Sequence, residues 1–131
     1  MQRRASKKIT IGNIAIGGDS PVTVQSMLNV PAHNFSESVS QAVALETAGC
    51  DIIRAAVPDM EAVGLIAKLR ESVNVPIVAD IHFDYRLAIE CVAAGVSKIR
   101  INPGNIGDES RVKKVAAACK NAGVPIRVGV N

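Results

Sequence analysis

The stretch AGVSKIRINPGN, residues 94–105, decides the reading of this chain. Ala94-Gly95 is a helix stop: glycine supplies the left-handed residue that closes a last turn. Lys98 to Asn102 then reads as a strand, and Pro103-Gly104 as its end. Side chains of a strand alternate between faces, so Lys98, Arg100 and Asn102 point one way while Ile99 and Ile101 point the other. The pattern returns twice, as AGCDIIR at 48–54 and AGVPIR at 122–127. Each copy runs from a helix stop through a short strand to an arginine.

Outward from these three units the chain alternates. Strand candidates are 22–27, 51–57, 76–82, 98–102 and 126–130, with helices between them at about 35–48, 59–72, 84–94 and 108–122. Strands separated by helices of this length imply βαβ units and a parallel sheet. Asp59, Asp84 and Asp108 stand before helices as N-caps, and Asn34 with Glu37 has the spacing of a capping box. Ahead of these, KITIGNIAIGG at 8–18 reads as two short strands around Gly12-Asn13. The expected organisation is an N-terminal hairpin over 1–19 and a parallel α/β unit over 20–131. No glycine-rich phosphate turn follows the first parallel strand, which disfavours an open dinucleotide-binding sheet. The expected fold is therefore a partial (β/α)8 TIM barrel, its first five strands preceded by a hairpin, since a complete barrel takes about 250 residues.

Composition narrows the function. The 131 residues are 48% apolar but only 2% aromatic, with a formal net charge of +3. That charge, without interleaved aromatics, argues against nucleic acid. It suits a small anion. No apolar run approaches a membrane span, and no apolar segment of signal-peptide length follows the basic start MQRRASKK, so a cytoplasmic location is expected. Cys50, Cys91 and Cys119 match neither a zinc site nor a redox pair and read as buried small hydrophobes.

Ligands of parallel α/β folds bind beyond the carboxyl ends of the strands. Those ends carry Gln25, Arg54, Asp80 with His82, Arg100 with Asn102, and Arg127 with Asn131. Three guanidiniums on one face suit a phosphate or diphosphate. The plainer alternative is a structural ion pair, Arg100 with Asp80 across neighbouring strands. Lys98, at the far end of its strand, reads as structural. His33 reads as a solvated loop residue, and Lys113, Lys114 and Lys120 as the exposed face of a helix.

The segments GGDSPVTVQSM, AGCDIIRAAVPDMEA, VADIHFDYRLA, KIRINPGNIG and PIRVGVN closely resemble the N-terminal domain of the 4-hydroxy-3-methylbut-2-enyl diphosphate synthase family. The resemblance runs through essentially the whole chain. It implies the substrate-binding TIM barrel of an oxidoreductase of isoprenoid biosynthesis. That enzyme reduces 2-C-methyl-D-erythritol 2,4-cyclodiphosphate. It further implies a homodimer, flavodoxin or ferredoxin as electron donor, and a [4Fe–4S] cluster on a separate domain whose ligands this chain lacks. On this resemblance Arg54, Arg100 and Arg127 bind diphosphate, Asp80, His82, Asn102 and Asn131 line the substrate pocket, and Gln25 falls in the matching VQSM segment. No catalytic residue and no metal ligand is expected here, and the chain alone is expected to be inactive. Leu28 and Val30 stand where the family often has threonines. Two competing readings are an anion-binding half-barrel without catalysis and a barrel like that of dihydropteroate synthase, which shares the phosphate logic but not the motifs.

Overall fold

The computed structural model describes residues 2–130. Two strands, β1 (Ile9–Ile11) and β2 (Ile14–Ile16), form an antiparallel hairpin. Gly12 takes φ +57° while Asn13 does not enter positive φ. This glycine-first order is the one in which the first turn residue must be glycine.

The remaining strands, β3 (Gln25–Met27), β4 (Ile52–Ala56), β5 (Ile77–Asp80), β6 (Lys98–Ile101) and β7 (Ile126–Val128), make one parallel sheet in chain order. Helices α1 (Phe35–Thr47), α2 (Met60–Ser72), α3 (Tyr85–Ala93) and α5 (Glu109–Ala122) connect them. Parallel strands in sequential order, each joined to the next through a helix, are the arc of a barrel. The strands are shorter than the apolar runs that announce them. Val22 and Val24 lie exposed, and regular pairing with β4 starts only at Gln25.

Local chemistry fixes the helix ends. The side chains of Asn34, Asp59, Asp84 and Asp108 accept from the backbone N–H of Glu37, Ala62, Arg86 and Arg111. Each satisfies a donor that the first turn leaves free. Gly49, Gly95 and Gly123 carry φ of +98°, +90° and +68°, the left-handed stops the repeat foretells.

Pro103-Gly104 ends the strand and at once begins another element: α4 (Pro103–Ile106) is a short helix with Asn102 as its cap and Pro103 in its first turn. Proline suits that position because the N–H it lacks has no helical partner there.

The sheet has two unlike faces. One carries Ile53, Ala55, Ile77, Ala79, Ile99 and Ile101, all buried with Leu65, Ile66, Leu69 and Val115 of the helices in a single apolar core. On the other, Ile52 and Val78 are covered by Ile11 of the hairpin, with Ile14 and Ile16 beside it. The hairpin thus packs toward the amino ends of the strands and leaves the carboxyl ends to polar groups. Among the described residues no helix is long and apolar enough to cross a membrane.

Candidate functional site

Partners in a parallel register share a face. Met27, Arg54, Val78 and Lys98 form one row across the sheet, and Ala56, Asp80, Arg100 and Arg127 form the next. The candidate cations therefore lie on the inner face, opposite the helices.

Asp80 is the centre of this face. Its side chain is 2% exposed. Arg54 donates to Oδ2 through Nη2 at 2.6 Å and Nε at 3.2 Å. Arg100 donates through Nη1 to Oδ1 at 3.3 Å, and His82 Nε2 lies 3.3 Å from Oδ2. One carboxylate thus fixes two guanidiniums, from β4 and β6, and the imidazole that follows β5. Burial by itself raises the pKa of Asp80. The Arg54 hydrogen bonds and charge, with His82 behind them, outweigh burial and hold the carboxyl below its ordinary value.

The structural ion pair and the convergent cluster are therefore both present. Arg100 does pair with Asp80 across neighbouring strands, and the same contact holds its guanidinium in place. Arg127, the register partner of Arg100, is exposed and makes no ion pair among the described residues. Among the described residues the inner face carries Arg54, Lys98, Arg100 and Arg127 against Asp80 alone. Such an excess of fixed donors on a half-buried surface attracts oxyanions.

The other candidates divide. His82 joins the cluster and stands edge-on to Phe83, which is 70% exposed beside it. Asn102 is buried at the carboxyl end of β6, but its Oδ1 is committed to the N–H of Gly104 at 3.0 Å. Its amide NH2 has no partner among the described residues and can meet a ligand. Gln25 faces inward yet sits level with Ile52, toward the amino end of the sheet, and makes no bond to the cluster. Asn131 lies outside the described residues.

Two positions carry more than their sequence suggests. Lys98 is 6% exposed on the inner face. Gly129, hydrogen-bonded to Ile101 O at 2.9 Å, lies directly under the Arg100 guanidinium. The parity of Arg127 and Gly129 in PIRVGVN is the signal that locates this glycine. His33 is not simply solvated, since its ring nitrogens stand 3.0 Å from Asp59 Oδ2 and 3.2 Å from Glu61 Oε2. Lys113, Lys114 and Lys120 are exposed as expected, with Lys114 lying over the Tyr85 ring. Leu28 is buried in the apolar core.

All three cysteines are free and buried. Cys50 precedes β4, Cys91 lies in α3 and Cys119 in α5. Burial, and then Glu90, push the Cys91 thiol up to about 12, and burial raises Cys119 as well. No group of three or more metal-ligating side chains converges among the described residues. These thiols do not fit an iron–sulfur cluster, which takes thiolates meeting at one point.

A family model described as the GcpE TIM-barrel domain matches residues 6–131. The chain belongs to the GcpE TIM-barrel family. Its relatives include proteins named 4-hydroxy-3-methylbut-2-en-1-yl diphosphate synthase (flavodoxin). That of Ruminiclostridium cellulolyticum is 52% identical over the whole chain, which covers 37% of the relative. That of Caldanaerobacter subterraneus subsp. tengcongensis is 54% identical over 98% of the chain and 36% of the relative. This GcpE-type chain thus spans little more than a third of the length of the curated relatives it matches. Among solved structures, dihydropteroate synthase of Xanthomonas albilineans with 4-aminobenzoic acid superposes with a TM-score of 0.68 at 16% identity, over 91% of this chain and 50% of that one. The Yersinia pestis enzyme gives 0.69 at 18%, over 91% and 44%. At such identities the likeness concerns the fold alone.

Proposed function

We propose that this chain is the substrate-binding barrel portion of a 4-hydroxy-3-methylbut-2-en-1-yl diphosphate synthase, holding 2-C-methyl-D-erythritol 2,4-cyclodiphosphate at the carboxyl end of its inner face. The observation that carries the reading is the inner face itself, which Arg54, Arg100 and Arg127 share with Asp80, the single carboxylate that balances them among the described residues. Asp80 presets two guanidinium forks, so their remaining N–H groups meet phosphoryl oxygens with little loss of side-chain freedom. His82 and the Asn102 amide add donors at the rim. Gln25 and Asn131 stay in this proposal on family resemblance.

The division follows the same reading: residues 1–19 close the amino end with the hairpin, and 20–131 form the barrel portion. The relatives' name points to flavodoxin as electron donor, with ferredoxin as the alternative. A homodimer and a cytoplasmic location accompany the family. Reduction in that family draws on a [4Fe–4S] cluster, which supplies single electrons. No cysteine of this chain is assigned to that cluster, so the chain alone is expected to bind and not to turn over.

Calorimetric titration of the chain with the cyclodiphosphate and, separately, with inorganic phosphate tests the reading. Binding of the cyclodiphosphate at least tenfold tighter than phosphate is the expected result. Equal affinities would leave a general anion-binding half-barrel in its place.

A further inference from the structure

The anion face continues one row deeper than the strand ends. Lys98 lies in the row of Arg54 and Val78, two residues before Arg100 on β6. It is 6% exposed, yet no carboxylate stands within ion-pair distance of its ammonium among the described residues. Its side chain is also absent from the hydrogen bonds of the cluster, since Asp80 spends both oxygens on Arg54, Arg100 and His82. The charged neighbours that act on Lys98 are themselves cations, Arg127 on β7 and Arg54 on β4. From the hairpin side the inner face is covered by the apolar Ile11, Ile14 and Ile16.

A largely buried lysine among cations, with no counter-charge among the described residues, costs stability even where its ammonium keeps some access to water. Desolvation first, then Arg127 and Arg54, push the Lys98 ammonium below its ordinary pKa, in keeping with that cost. A purely structural residue at this inward position would be better served by an apolar side chain, as Val78 beside it illustrates. What relieves an unpaired ammonium here is an anion brought in from outside.

We infer that Lys98 is a binding residue of the anion site: its ammonium forms the floor beneath the Arg54–Arg100–Arg127 cluster and contacts a phosphoryl oxygen of the bound ligand. This inference rests on the anion-site reading above and extends it by one row. It also reverses the structural role that the position of Lys98 at the start of its strand suggests.

Stability and affinity should then move in opposite directions when the charge is removed. In Lys98→Met, which keeps the length of the side chain, the unliganded chain should melt at the same or a higher temperature. Its affinity for pyrophosphate, measured by calorimetry, should fall about tenfold or more. A structural lysine behaves otherwise: its loss lowers the melting temperature and leaves the affinity of the folded fraction unchanged. Unchanged affinity, a lowered melting temperature or a failure to fold would each overturn the assignment. Arg100→Ala, measured alongside, separates the two levels of the argument. If the native chain binds pyrophosphate, Arg100→Ala loses it and Lys98→Met keeps it, only the floor is wrong. If the native chain does not bind pyrophosphate at all, the anion site and its floor fall together.

Discussion

The guanidinium of Arg100 lies so close over Gly129 that a Cβ built there would come within 2.5 Å of its Nε and Nη2. Gly129 has an ordinary backbone, so the requirement for glycine is one of space. Gly129→Ala should push the Arg100 side chain aside. The atoms in the way are the far end of a flexible side chain, so the fold should yield cheaply, within about 0.5 kcal/mol of native stability. Affinity for pyrophosphate should fall roughly tenfold, the scale of one charge-assisted hydrogen bond. Thermal melts and calorimetry on the same sample check both halves. An alanine variant that binds as tightly as the native chain would mean that Arg100 reaches the ligand by another path.

Asp80 is the counter-charge on which two arginines depend. Asp80→Asn leaves Arg54 and Arg100, both largely buried, without a carboxylate. Removing one partner of a buried pair typically costs about 3 kcal/mol or more. Denaturant unfolding should register that loss. Pyrophosphate should then recover a larger share of stability in the variant than it adds to the native chain, because an oxyanion supplies the missing charge. Equal gains in both would argue that the ligand does not approach these two guanidiniums.

The same carboxylate gives stability a defined acid dependence. The pKa of Asp80 is lower in the folded chain than its ordinary 3.8. Between those two values the unfolded chain binds more protons than the folded one, so stability increases with pH there. The contribution is complete above the ordinary value and vanishes as pH falls through the depressed one. The stability difference between the native chain and Asp80→Asn should therefore hold steady above about pH 5 and narrow below pH 4. Urea titrations from pH 6 to pH 2.5 measure it. A difference that stays constant across this range would remove Asp80 from the account of acid stability.

The fold was legible in the sequence because local signals agreed: aspartates capped helices, glycines closed them, and apolar strands alternated between. Strand ends were less so. Propensity marks Val22 and Val24 as strand, but pairing depends on a neighbour, and these residues lie exposed at the edge. Parity placed Arg54, Asp80 and Arg100 together, since a shared face follows from period two alone. It could not reveal that Asp80 holds both arginines, that Asn102 spends its carbonyl on a cap, or that Lys98 has no counter-ion among the described residues. Those facts depend on side-chain distances between separate strands.

The sheet of the described residues has β3 on one edge and β7 on the other. Val24, just before β3, and Val128, at the end of β7, are 60% and 63% exposed. Unpaired strand edges with apolar side chains recruit further strands. The isolated 131-residue chain should therefore self-associate at micromolar concentration in light scattering. Lysine at Val24 and Val128 together should shift it toward monomer, because charges on an edge oppose pairing. A native chain that stays monomeric and unfolds cooperatively would show that the edges are protected in some other way.

The cysteines allow the sharpest test of where redox chemistry can reside. The attacking or ligating form of cysteine is the thiolate. Burial and Glu90 move Cys91 up to about 12, and burial moves Cys119 in the same direction, so both are protonated near neutrality. Cys50 is buried as well, its Sγ donating to the Ile52 carbonyl at 3.0 Å. None of the three should react rapidly with a thiol reagent at pH 8 in the native chain, whereas all three should react once it is denatured. Anaerobic treatment with iron and sulfide should leave no cluster absorption in the visible range, because these thiols are held in the core at separate elements rather than around one point. A fast native thiol would contradict the packing around that cysteine. A stable visible chromophore would go further and assign to this barrel portion the electron-transfer role that its residues are here held not to have.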